Sequence, residues 1–197
     1  MWSSVFLILT CILGILYISR RIIYKNHIRN VTVSLLIAVI IGSIIDFEIP
    51  VDIADIVETG ALSYATLAVL VLLLLIVHYT KPEHVRSSVW YSYIPLIIFP
   101  ALVFLVDSVG LLSLLFMILQ GTALIVSFFV IFLYSGNMNR SFALVGGIVV
   151  LLAGYCVFWF VELDDQLLDH IINLCTGSGI LLISYSLPEL IKKNVRE

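Results

Sequence analysis

The chain has 197 residues, of which 62% are hydrophobic and only 12% are charged, with a formal net charge of −3 and a mean hydropathy of +1.19. Soluble domains usually carry about a quarter charged residues, so this chain has too few charges to cover a soluble surface. The composition excludes a soluble globular protein, a disordered chain, collagen and a disulfide scaffold. It predicts an all-α integral membrane protein.

Apolar segments long enough to span a membrane, which takes roughly 20 residues, recur along the whole chain. In chain order they occupy residues 2–19, 31–46, 61–79, 89–106, 110–134, 141–161 and 169–188. We therefore interpret residues 1–197 as a single transmembrane domain of seven helices, with no soluble domain. The first segment is expected to be retained, because a signal peptide carries positive charge before its apolar run and here Arg20 and Arg21 follow it.

Basic and acidic residues separate between alternate loops. With seven helices, all ten Lys and Arg residues fall after helices 1, 3, 5 and 7, and most of the 13 acids fall in or beside the other loops. Positively charged loops stay in the cytoplasm, so we expect the N-terminus outside and the C-terminus cytoplasmic, in a cell or inner membrane. The basic side is expected to attract anionic membrane lipids. The sequence carries no nucleic-acid signature.

Helices 1–3 and 5–7 show a weak internal similarity. Sliding the chain on itself by 110 residues aligns the two triplets with 13 identities in 87 positions, including Thr66 on Thr176. A chain this rich in Leu, Ile and Val gives many such identities by chance. Two parallel three-helix repeats joined by helix 4, an arrangement found in some transporters, are one interpretation, and unrelated triplets are the other.

Polar side chains within the bilayer are costly and often functional. Helices 3, 5 and 7 contain such residues, and two acids end helices 2 and 4 near the outer face. The candidate binding residues are Tyr64, Gln120, Asn173, Thr176, Asp46 and Asp107. If helices 3, 5 and 7 face one another, the four residues on these helices line a cavity open to the acidic side. The alternative is hydrogen bonding between helices, with no ligand.

These patterns favour a small transporter or channel for a small solute or cation, with its site between the two helix triplets. A sensor or accessory subunit, acting through a membrane partner or as a homo-oligomer, is the first alternative. A lipid hydrolase using Asp46, Asp107 or the Asp169–His170 pair is the second, and an enzyme is the less favoured class because no nucleophile motif is present. We expect no cofactor and no metal site, since the histidines and cysteines have no ligand spacing. A retinal pigment is excluded, because no lysine lies within helix 7.

Overall fold

The computed structural model describes residues 2–21, 26–45, 51–80, 89–106, 108–134, 138–161 and 164–194. Within these residues the chain is helical and contains no strand, which confirms the all-α prediction for the described part. The α-helices are α1 (Trp2–Arg21), α2 (Asn26–Ile45), α3 (Val51–Thr80), α4 (Ile94–Leu105), α5 (Val109–Tyr134), α6 (Met138–Phe160) and α7 (Asp165–Asn194). A 3₁₀ helix, Val89–Tyr93, precedes α4.

Four of the helices are long and apolar enough to cross a membrane. These spans are Ser3–Arg21, Val109–Phe132, Phe142–Phe160 and Gln166–Pro188, with 28% to 39% of their residues buried. The remaining apolar side chains face outward, as Phe129 and Phe132 of α5 do. Large exposed apolar surfaces are rare on soluble monomers and mark contact with lipid or protein. The described apolar stretches of α2 and α3, Ile28–Ile41 and Ser63–His78, are shorter.

Several observed helices differ in their bounds from the predicted ones. Helix α2 begins at Asn26 instead of residue 31, and α7 ends at Asn194 instead of residue 188. Helix α3 begins at Val51 instead of residue 61, because hydropathy alone does not register the less apolar turns at its start. The predicted continuous helix over 89–106 is wrong, since the 3₁₀ helix occupies its first turns. Pro95 lies in the first turn of α4 and not at a kink, because its missing N–H has no partner to lose there.

The helices pack in chain order around a ring. Contacts join α1 to α2, α2 to α3, α3 to α5, α5 to α6, α6 to α7 and α7 back to α1. Helix α4 lies outside this ring against α3. Helix α3 also contacts α7 across the interior, and every residue from Ala65 to Leu73 is buried. The core therefore lies around α3, between α1 and α2 on one side and α5, α6 and α7 on the other.

The contacts around glycines show whether the helices that pack on α7 run parallel or antiparallel to it. A Cβ at Gly177 would lie 3.0 Å from the Thr10 hydroxyl, and one at Gly14 would lie 2.9 Å from the Ser184 hydroxyl. From the first contact to the second, the residue numbers increase along both helices, so α1 and α7 are parallel. A Cβ at Gly154 would lie 2.8 Å from Cys175 Cβ. Since residue 147 of α6 faces residues 179–183, α6 and α7 are antiparallel.

Candidate functional site

A small polar cavity lies where α3, α5, α6 and α7 meet. Its volume is about 10 Å³, which holds about one water molecule. The polar side chains in its wall are Thr66, Gln120, Tyr155 and Thr176. Ala65, Leu151, Gly154, Phe158 and Ile172 complete the wall. Among these described lining residues none is charged, so the cavity offers hydrogen bonds without a formal charge.

The amide of Gln120 is buried and held by α6. Trp159 Nε1 donates a hydrogen bond to Gln120 Oε1 over 2.9 Å. This bond leaves the two N–H donors of the Gln120 amide on the other side of the group. Because an amide oxygen is fixed by the indole, the orientation of the amide in the cavity wall is set by α6.

A second hydrogen bond joins the same two helices. The Tyr155 hydroxyl donates to the Met117 carbonyl over 3.2 Å. A Cβ at Gly121 would lie 2.7 Å from this hydroxyl, so the glycine gives the tyrosine its place against the α5 backbone. Tyr155 and Trp159 are four residues apart and therefore share one face of α6. Their two hydrogen bonds hold α6 against α5 beside the cavity.

The hydroxyl of Thr66 in the cavity wall is bonded within its own helix. Thr66 Oγ1 donates to the Ser63 carbonyl over 2.9 Å, one turn back on α3. Such a bond within the helix engages the hydroxyl proton and leaves the oxygen as an acceptor. Thr66 thus adds an acceptor to the wall that also contains the Gln120 amide.

The structure brings together some of the predicted binding residues and leaves others apart. Gln120 and Thr176, two of the four residues predicted to line a cavity if helices 3, 5 and 7 face one another, line the same cavity. Tyr64 and Asn173 are half-buried and lie outside its described lining, because they point along other faces of α3 and α7. Asp46 and Asp107 lie outside the described residues.

Sequence reasoning missed Tyr155 and Trp159. The Trp159 indole, near the end of α6, donates to Gln120 of α5. The available signal was the four-residue spacing of the two polar aromatics, since buried Tyr and Trp need partners for their O–H and N–H groups. Gln120, on the neighbouring helix α5, accepts the hydrogen bond of the half-buried Trp159 indole.

A second cavity lies between α1, α2, α3 and α7. Its volume is about 40 Å³, and its wall is apolar apart from the hydroxyls of Thr32 and Ser184. Thr32 Oγ1 donates to the Ile28 carbonyl over 2.8 Å, so its proton is engaged. Ala65 belongs to the walls of both cavities. The interior thus contains two cavities, one with several polar side chains in its wall and one that is mostly apolar, and Ala65 lines both.

Groups for catalysis or metal binding do not gather in the described part of the chain. No three His, Cys, Asp or Glu side chains among those residues come close enough to hold a metal ion. Asp169 and His170 are exposed near the start of α7, away from both cavity walls.

Comparison of the chain with protein-family models, with curated proteins and with solved structures finds no match in any of the three.

Proposed function

We propose that the chain crosses the membrane seven times, with its N-terminus outside and its C-terminus in the cytoplasm. The parallel packing of α1 and α7 supports this topology. If only the four long apolar helices crossed, two crossings would separate α1 from α7 and the pair would be antiparallel. Parallel packing needs an odd number of crossings between them, and α2 to α6 supply five.

The lengths of the other helices support the same topology. Helix α2 has 20 residues and α3 has 30, which correspond to about 30 Å and about 45 Å. The 3₁₀ helix and α4 have 5 and 12 residues, about 28 Å when laid end to end. Each reaches or nearly reaches the roughly 30 Å of a bilayer's hydrocarbon core, and α3 exceeds it.

The pattern of contacts supports two parallel triplets related by an axis along the membrane normal. Exchanging α1, α2 and α3 with α5, α6 and α7 maps each packed pair of the ring onto another packed pair. The pair α1–α2 corresponds to α5–α6, α2–α3 to α6–α7, and α3–α5 to α7–α1. The contact of α3 with α7 maps onto itself, whereas the packing of α4 against α3 has no comparable contact with α7.

The function proposed for this architecture is passage of a small, uncharged, polar solute between the two triplets. The observation that carries it is the polar cavity in which Thr66 of the first triplet meets Gln120, Tyr155 and Thr176 of the second. Amide donors and hydroxyl oxygens bind a neutral polar molecule, and the described wall offers no charge to hold an ion. At about 10 Å³ the cavity is too small for such a solute, and passage requires the triplets to part along the α3–α5 and α7–α1 contacts.

Reconstituted liposomes test this function. Stopped-flow light scattering measures the entry of urea, glycerol and erythritol into liposomes with and without the protein. We expect the protein to raise the entry rate of at least one solute, and Gln120→Leu to return it to the protein-free rate. Gln166→Leu is the matched control, because Gln166 is exposed at the start of α7. Protein-free rates for all three solutes with the wild-type protein would reject solute passage.

The length of α7 favours a sensor or accessory subunit as a second candidate. Its 30 residues measure about 45 Å, so its last turns extend past a bilayer core of about 30 Å. Lys192 and Lys193 lie on this extension, where a cytoplasmic partner would meet them. Native mass spectrometry of gently extracted protein separates the two candidates. A stoichiometric second protein supports the accessory function, whereas a non-lipid adduct on the chain alone supports passage of a solute.

A further inference from the structure

The apolar cavity between α1, α2, α3 and α7 ends beside a group of arginines. Ile18, Thr32 and Leu187 line the cavity near the end of α1, the start of α2 and the end of α7. Arg21 follows Ile18 by three residues, and Arg29 precedes Thr32 by three. We call Arg20, Arg21 and Arg29 the basic rim. Only residues 22–25 separate α1 from α2, so the rim lies at one end of the bundle.

Aromatic rings connect the basic rim to α7. Arg21 Cζ lies 5.7 Å from the centroid of the Tyr17 ring. Tyr17 stacks on Tyr185 of α7 with ring centroids 5.6 Å apart. A guanidinium over a ring face is attracted by the ring's quadrupole, which favours this position of the exposed Arg21, one turn beyond Ile18 of the cavity wall. By sequence, the end of α7 adds Glu189, Lys192 and Lys193, and this end stays positive.

The cavity suits an apolar occupant better than water. It is half-enclosed, and about 40 Å³ admits roughly three water-sized groups, since one needs about 10–15 Å³. The Thr32 proton is already donated to the Ile28 carbonyl, which leaves the Ser184 hydroxyl as the main polar group in the wall. Apolar cavities of this kind stay dry, and hydrocarbon fills them without losing hydrogen bonds.

We propose that this cavity and the basic rim together bind one anionic phospholipid. A short stretch of one acyl chain occupies the cavity between Ala68, Leu36 and Ile183, and the rest of the lipid lies in the bilayer. The phosphate is held by the guanidinium groups of the rim, whose planar donors match phosphate oxygens. The combination of apolar wall and positive rim selects an anionic lipid over a zwitterionic one. The proposal is independent of solute passage.

Thermal unfolding in a neutral detergent tests the proposal with added dioleoylphosphatidylglycerol, dioleoylphosphatidylcholine or water-soluble glycerol phosphate. The two lipids share their acyl chains, and glycerol phosphate has none. We expect phosphatidylglycerol to raise Tm by about 5–10 °C near one hundred times its Kd. Phosphatidylcholine is expected to give a smaller shift and glycerol phosphate none. Equal shifts with the two lipids, or a full shift with glycerol phosphate, would overturn the proposal.

Variants separate the contributions of the cavity and the rim. Ala68→Leu fills the cavity and is expected to lose most of the phosphatidylglycerol shift, whereas Ala153→Leu, on an exposed face of α6, keeps it. The double change Arg21→Gln with Arg29→Gln is expected to reduce the phosphatidylglycerol shift to the phosphatidylcholine value.

Arg140→Gln is the charge control, because α6 contributes no residue to the described cavity wall. A full shift in Ala68→Leu, or an equal loss in Arg140→Gln, would contradict the site. If Ala68→Leu does not fold, the three wild-type ligand comparisons decide the proposal alone.

Discussion

The buried amide of Gln120 is held by an indole 39 positions away in the chain. An amide inside an apolar bundle is stable only with a partner, since a lost hydrogen bond is not replaced by water. Trp159 of α6 supplies that partner, and its side chain is itself half-buried. The bond therefore positions the polar cavity wall and joins α5 to α6.

A double-mutant cycle measures this bond. We expect Trp159→Phe and Gln120→Leu to show a coupling energy of about 0.6 kcal/mol, the average for hydrogen bonds between membrane helices, and at most about 1.7 kcal/mol. The measurement is unfolding by increasing detergent fraction in mixed micelles. Trp90→Phe is the control, because Trp90 is 79% exposed and we expect a change within about 0.5 kcal/mol. A coupling energy of zero would show that the bond does not form.

Helices α6 and α7 approach closely because glycines lie where they cross. A Cβ at Gly147 would lie 2.9 Å from the Gly179 carbonyl oxygen, and one at Gly179 would lie 3.0 Å from the Gly147 oxygen. The backbone atoms of two packed helices cannot move aside for an added Cβ, whereas the end of a flexible side chain can. Small residues at such crossings are how helices pack within lipid, where no hydrophobic force draws them together.

Neighbouring glycines of α6 provide a matched pair of substitutions. We expect Gly147→Ala to destabilise the bundle, because its methyl group would collide with backbone and with Ile183. Gly146→Ala is expected to be neutral or to stabilise by about 0.5–1 kcal/mol, since nothing lies within 4 Å of its Cβ position and alanine favours the helix. Thermal unfolding of both variants in detergent compares them. A Gly147→Ala protein as stable as Gly146→Ala would contradict the close α6–α7 contact.

Across the whole molecule, the ten Lys and Arg residues of the sequence lie between the apolar stretches of α1 and α2, after α3, at the start of α6 and from the end of α7 onward. Seven crossings place them together on one side, whereas four crossings formed by α1, α5, α6 and α7 alone would put residues 21 and 110 on the same side. The two topologies therefore differ in the position of the α2–α4 segment relative to the membrane.

Cysteine labelling in intact cells distinguishes these topologies. In a background with Cys11, Cys156 and Cys175 replaced by alanine, single cysteines are introduced as Arg21→Cys, Gly110→Cys and Lys193→Cys. With seven crossings, a membrane-impermeant maleimide labels Gly110→Cys in intact cells. It labels Arg21→Cys and Lys193→Cys only after permeabilisation. Equal labelling of Arg21→Cys and Gly110→Cys would reject seven crossings in favour of four.

The sequence alone indicated that the described residues are helical and which apolar stretches form the helices, because long apolar runs have few alternatives in lipid. It did not give the starts of α2, α3 and α4 or the end of α7. It placed Tyr64, Gln120, Asn173 and Thr176 around one cavity if helices 3, 5 and 7 face one another, and of these Gln120 and Thr176 line the observed cavity. It did not place Tyr155 in the cavity wall, Trp159 against Gln120 or Asn173 outside the wall. Apolar residues cover almost every face of these helices, so no amphipathic pattern indicates which face turns inward. Only close packing at glycines and hydrogen bonds between helices decided each helix's rotation, and those contacts exist in the tertiary structure alone.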